Sequence, residues 1–287
     1  VPWAQLLDRA ERLSVPSTDG VVLAVLRWAG DDDVVVLAHA TGFHKELWLP
    51  TVDELRAQGA TCTVVALDLR GHGGSTEPRG ELSWPDFGRD VLAVVARVRR
   101  SGRLVGVGHS LGGGAVVGAE VQAPGTFNGL VLVDPAIMPP GNGADAGSNP
   151  WAEGARRRRA RYASRAEAFD NFAGKAVFST WPRDVLRLYV DHGMVDDDGG
   201  VVLACRPQFE ALTFSRPEMV LLWDELEGLS PPVSLITAEG SQTHPPEHAE
   251  ATAERARAQH LRLPGVSHFI PMEAPAAVAR VIRGHLR

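Results

Sequence analysis

The chain alternates short apolar runs with longer stretches of helical spacing. "RLSVPSTDGVVLAVLRWAG" places apolar residues on both sides of a Ser-Thr-Asp-Gly turn and predicts a β-hairpin. "DVVVLAHA", "ATCTVVALDL", "GRLVGVGHS" and "FNGLVLVDP" follow as unbroken runs rich in valine and leucine. Runs of this kind suit strands buried on both faces, as in a parallel sheet covered by helices. Between them lie "KELWLPTVDELRAQG", which closes on a glycine, and "SWPDFGRDVLAVVARVRRSG", whose apolar residues recur every three or four positions. Strand–helix alternation predicts an α/β fold.

The rhythm breaks after Asp134. Residues 136–229 carry the loop "PPGNGADAGSNP" and the helix-like "WAEGARRRRARYASRAEAF" and "WPRDVLRLYVDHG", and read as a mostly helical insertion, a cap over the sheet. The arginine run "ARRRRARYA" reads as a solvated helix face rather than an anion site. "PPVSLITAEG" and "AQHLRLPGVSH" resume the strand pattern, and "APAAVARVIRGHL" is a closing helix. The core is thus expected over 1–135 and 230–287, with the cap over 136–229.

Composition adds exclusions. With 287 residues, 44% hydrophobic and 22% charged, the chain suits one elaborated domain or a domain with an insert. A formal charge of −6 gives no reason to expect nucleic acid as a partner. Only Lys45 and Lys175 of the 29 basic residues are lysine, which reads as the coding bias of a GC-rich bacterium. No apolar run is long enough for a membrane span, and "VPWAQLLDRAERL" is not a signal peptide, so a cytoplasmic location is the expectation. Cys62 and Cys205 form no C-x-x-C pattern, and Cys62 reads as a small core hydrophobe. No H-E-x-x-H or clustered Cys/His spacing suggests a metal, and the oligomeric state is not readable.

The candidate chemistry centres on "GVGHSLGGG". Gly108-His109-Ser110-Leu111-Gly112 matches G-x-S-x-G, follows a predicted strand and opens the helical "LGGGAVVGAEVQ". At such an elbow a serine is held in a strained conformation as a nucleophile, and the helix start aims N–H groups at a developing oxyanion. A serine nucleophile needs a base. Of ten histidines, His268 in "LPGVSHFIPMEAP" is best placed, after the last strand and before the terminal helix. His109 reads as packing beneath the loop and His72 as the brace of a turn. For the oxyanion, one donor is expected from the Leu111 amide and the other from "HATGFH", where Thr41 is the choice and Gly42 and Phe43 are alternatives.

With these residues in order, the chain resembles the α/β-hydrolase superfamily. "HATGFH", "DLRGHGGS", "GHSLGG", "LVLVDP" and "GVSHFIPMEAP" carry the resemblance along nearly the whole chain. It implies an α/β-hydrolase fold: a mostly parallel eight-stranded sheet flanked by helices, with a helical cap after the sixth strand and no cofactor. There are departures. Serine rather than aspartate at position 110 speaks against epoxide opening and halide displacement, and Ala40 replaces the first glycine of the usual H-G loop. In "TAEGSQTH", Ser241 stands where the family often places its acid. Two carboxylates at strand ends remain as candidates, Asp134 in the first place and Glu239 as the alternative.

The reading that follows is a serine hydrolase acting on an ester, lactone or thioester of a small molecule. The alternatives are C–C bond hydrolysis, acyl transfer or a lyase reaction by the same residues, or a binding protein that turns over little. Phe43, Trp48, Met138, Trp181, Tyr189 and Phe269 are candidate pocket residues.

Overall fold

The structure is a computed structural model that describes residues 2–137, 139, 149–215 and 221–286. A short helix, α1 (Ala4–Asp8), leads into the hairpin of β1 (Glu11–Pro16) and β2 (Val22–Trp28). The chain continues as β3 (Asp31–Ala38), α2 (Leu49–Ala57), β4 (Cys62–Leu67), α3 (Pro85–Val98), β5 (Leu104–His109), α4 (Leu111–Gln122) and β6 (Gly129–Val133). Between β6 and the next strand of the main sheet lie α5 (Pro150–Arg156), β7 (Arg161–Tyr162), α6 (Arg165–Ala173), α7 (Arg183–Gly193), β8 (Met194–Asp197), β9 (Gly200–Leu203), α8 (Pro207–Phe214) and α9 (Leu221–Glu225). The chain then closes with β10 (Val233–Ala238), α10 (Pro246–Arg255), β11 (Gln259–Leu263), α11 (Ile270–Glu273) and α12 (Pro275–His285).

Eight strands form one sheet in the order β1-β2-β4-β3-β5-β6-β10-β11. Only the two pairings of β2 are antiparallel. The unbroken apolar runs are explained by the two-residue repeat of a strand, which sends alternate side chains to opposite faces. Val35, Leu37, Val105 and Val107 enter a core against α2 and α12, while Val34, Val36, Ala38 and Leu104 enter another against α3 and α4. Helix α3 buries Phe87, Val91, Val94, Val95 and Val98, one helical face. Helix α4 is buried from Leu111 to Glu120, because it lies flat against the middle of the sheet. Each fully buried valine or leucine contributes about 1.5–3 kcal/mol.

The topology positions the site. From β3 the chain crosses to β4 on one side, then returns to β5 on the other side of β3. At such a switch point, the loops leaving the carboxyl ends of two neighbouring strands diverge and leave a crevice. The loops after β3 and β5 are those that carry "HATGFH" and Ser110.

The hairpin, the strands and the closing helix lie where the hydrophobic pattern predicts them. The segment between β6 and β10, expected to be mostly helical, differs in detail: besides helices it contains a second, three-stranded sheet in the order β7-β9-β8. The arginine run is a correction. It is not one helix face: α5 ends at Arg156, Arg161 begins β7, and Arg158 is partly buried on Glu210. Met138 lies outside the described residues.

Candidate active site

Ser110 occupies the sharp turn between β5 and α4, with φ 52° and ψ −114°. This is a left-handed, strained conformation that a non-glycine residue rarely adopts. The turn is possible because its neighbours lack side chains: a Cβ on Gly108 would fall 2.1 Å from the Gly112 carbonyl oxygen, and one on Gly112 2.1 Å from that of Ala38. The Ser110 backbone is pinned by its N–H to Val133 O and by Ala136 N–H to its carbonyl. Its side chain thus stands at the carboxyl edge of the sheet, and the residue is 8% exposed.

One strand along, Asp134 follows β6 with a second strained backbone, φ 43°, and is fully buried. Its Oδ2 accepts 2.5 Å hydrogen bonds from His268 Nδ1 and from Ser241 Oγ. Burial opposes ionisation of Asp134, but its hydrogen bond and charge interaction with His268, supported by His244 and Ser241, hold the carboxyl below its ordinary range. Ser241, at the position the family often gives to its acid, therefore donates to Asp134. It also accepts from the N–H groups of Thr243 and His244, which fixes the loop after β10. Glu239 is exposed, and its Oε2 accepts from the Gly265 N–H.

His268 sits in the loop between β11 and α11. Glu273 holds that loop by accepting from the N–H and Oγ of Ser267, and Thr180, from the segment between β6 and β10, donates to the same carboxylate. His109 accounts for a further tie that the sequence does not reveal. Its Nε2 donates to the His268 carbonyl at 2.8 Å, and burial pushes its pKa down to about 3, so it stays neutral with that proton in place. His268 spends its Nδ1–H on Asp134, and no direct hydrogen bond joins Ser110 to His268. Such contacts commonly tighten only when substrate is present. His72 braces the turn it was expected to brace, through Nδ1 to Arg70 O at 2.8 Å.

The loop after β3 turns at Gly42, φ 77°. His39 fixes both sides of the crevice wall, donating from Nδ1 to Ala40 O and accepting the Leu69 N–H on Nε2. The Phe43 N–H is spent on Ala40 O, and the Gly42 amide faces the Cys205 sulfur. The N–H groups of Thr41 and Leu111 have no acceptor among the described residues. Gly42 also lies against an ion pair: a Cβ there would meet Glu210 Oε1 at 2.7 Å and Arg158 Nη1 at 3.2 Å.

An aromatic wall gathers on Phe43 of the loop after β3. The Phe43 ring lies 5.6 Å from Trp181, 5.7 Å from both Tyr189 and Phe269, and 6.2 Å from His109. Phe178 joins Trp181 and Tyr189, and Phe269 is 5.7 Å from His268. Four of the candidate pocket residues thus converge. Trp48, 2% exposed at the start of α2, shares the hydrophobic core with them but makes no ring–ring contact with them. A separate cavity of about 350 Å³, lined by Ser234, His260, Arg280 and His285 among others, includes none of these residues. Among the described residues no group of three or more His, Cys, Asp or Glu is arranged to hold a metal ion, and no helix is long and apolar enough to cross a membrane.

A mostly parallel eight-stranded sheet with a serine at a strained elbow, and a His–Asp pair beside it, defines an α/β-hydrolase architecture. The family model described as "Alpha/beta hydrolase family" matches residues 35–281, and the chain belongs to that family and to the hydrolases. It is similar to the esterase Rv0045c of Mycobacterium tuberculosis, 27% identical over 99% of this chain and 95% of that one. It is also similar to the abhydrolase domain-containing protein ACTT2-1 of Alternaria alternata, 29% identical over 62% of this chain and 81% of that one. Among solved structures, the thioesterase domain from the curacin biosynthetic pathway superimposes with a TM-score of 0.79 at 19% identity, covering 96% of this chain and 99% of that one.

Proposed function

We propose that the protein is a serine hydrolase that cleaves a carboxylic ester, lactone or thioester of a small molecule through an acyl-enzyme. Ser110 Oγ attacks the carbonyl carbon. His268 takes the serine proton and returns it to the leaving group, while Asp134 holds the Nδ1–H tautomer and stabilises the imidazolium. The N–H groups of Leu111 and Thr41 receive the oxyanion, and loss of one such donor typically costs roughly 100- to 1000-fold in rate. Water, deprotonated by His268, then releases the acid.

The observation that carries this reading is the 2.5 Å contact of His268 Nδ1 with Asp134 Oδ2, on the loop beside the strained Ser110 turn. An esterase and acyl-CoA thioesterases among the similar proteins support the bond type. The inserted segment serves as a cap, because its Trp181 and Tyr189 close over Phe43 and Phe269. The reading needs no metal, cofactor or macromolecular partner and places the enzyme in the cytoplasm. A screen of p-nitrophenyl esters of varied chain length, lactones and acyl thioesters tests it. Turnover of at least one class that Ser110→Ala abolishes is expected; turnover unaffected by that substitution would defeat the assignment.

A further inference from the structure

We propose that Tyr189, Trp181 and Arg158 form a hydrogen-bonding subsite in the cap that selects substrates whose acyl group carries a neutral oxygen acceptor, a keto or hydroxyl oxygen, and that Glu210 makes this subsite reject a carboxylate. The inference rests on the serine-hydrolase reading and names its substrate class.

The aromatic wall contains donors that nothing among the described residues uses. Trp181 is 6% exposed, and its Nε1–H has no partner among the described residues. The Tyr189 hydroxyl, on a residue 2% exposed, accepts a 2.5 Å hydrogen bond from Arg158 Nη2, so its own proton remains to be donated. The two rings lie 5.9 Å apart, and both pack on Phe43, which follows the oxyanion loop residues Thr41 and Gly42. A buried donor left unpaired in apolar surroundings is unfavourable, and an entering oxygen acceptor relieves it. A plain alkyl chain in the same place would leave both donors unpaired.

The charge of the subsite decides between acceptors. Arg158 Nη1 reaches both oxygens of Glu210, at 2.7 and 2.6 Å, and this pair rests on Gly42. Within the subsite one guanidinium is matched by one carboxylate, so its donors carry no net positive charge of their own; the further cation that acts on Arg158, Lys175, lies over the Phe172 ring rather than on the donors. A keto or hydroxyl oxygen accepts from them at no electrostatic cost, whereas a substrate carboxylate meets Glu210 as a like charge in a partly buried place. Arg158 is the member of the arginine run that turns inward; Arg156, Arg157 and Arg159 are exposed.

The test compares kcat/KM for p-nitrophenyl hexanoate, 3-hydroxyhexanoate, 5-oxohexanoate and the glutarate monoester, the last matching the 5-oxo chain in shape but ending in a carboxylate. At least one oxygenated ester should exceed hexanoate by about tenfold, as expected for a matched hydrogen bond, and the glutarate ester should be slowest. Tyr189→Phe or Trp181→Phe should lower that preference about tenfold. Glu210→Gln, which removes the charge and keeps the shape, should raise glutarate hydrolysis about tenfold relative to hexanoate. Hexanoate equal to or better than both oxygenated esters, a preference that survives both aromatic substitutions, or glutarate favoured by the wild type would overturn the subsite. Failure to hydrolyse any of the four while Ser110 still reacts with a fluorophosphonate also counts against it. Failure of both defeats the serine-hydrolase reading instead.

Discussion

In the proposed mechanism Asp134 and Ser241 divide between them a task that one carboxylate often performs. Asp134 Oδ2 faces His268 Nδ1, and Ser241 Oγ steadies the same oxygen from the neighbouring loop. Asp134→Asn should therefore keep the fold, read by circular dichroism, and lower kcat about 10⁴-fold, the cost of the comparable change in a serine protease. Glu239→Gln should leave kcat within a few-fold, because Glu239 is exposed and meets Gly265 rather than His268. A crippled Glu239→Gln beside an active Asp134→Asn would reverse the assignment. At this scale chain order suggests Ser110, an acid, then His268, each after a strand, and the structure brings Asp134 and His268 into contact beside the Ser110 turn. The sequence is silent on His109 donating to His268 O and on Ser241 donating to Asp134, since both contacts join residues more than 100 positions apart.

The elements set the distances between these groups. The α4 start and the β3 loop meet over the switch point, and each approach depends on a missing side chain. Gly42→Ala imposes a φ of 77° on a residue that resists it and drives its Cβ to 2.7 Å from Glu210 Oε1. The loop must shift, so kcat should fall roughly 100- to 1000-fold while the far-ultraviolet spectrum is unchanged; wild-type kcat would mean that the loop takes no part. The strands of the main sheet were readable because burial on both faces leaves unbroken valine and leucine runs. The strands β7, β8 and β9 were not, because two to four residues carry too little periodicity to register. The inward turn of Arg158 was hidden for a related reason: four consecutive arginines look alike until a chain bend separates them.

Across the whole molecule, buried histidines link stability to pH. Burial pushes His72 down to about 4 and His109 to about 3, whereas an unfolded chain binds those protons near pH 6.5. Their folded pKa values are depressed, so the neutral forms stabilise the fold fully above about pH 6.5. That contribution falls as pH drops toward 4 and 3, because the unfolded chain binds protons that the folded one does not. Tm should begin to decline just below pH 6.5, ahead of carboxylate titration, and His72→Gln should flatten the decline between pH 6 and 4.5. A Tm constant from pH 7 to 5 would contradict this. The overall architecture was legible because several ordered motifs act together; the substrate was not, since residues from distant segments build the aromatic wall. The central claim, that Ser110 is an activated nucleophile, is tested most directly by incubating the intact protein with a fluorophosphonate probe and mapping the adduct by mass spectrometry. The account predicts one stoichiometric adduct on Ser110, lost in Ser110→Ala and strongly slowed in His268→Ala; an unlabelled protein, or a label carried elsewhere, would contradict it.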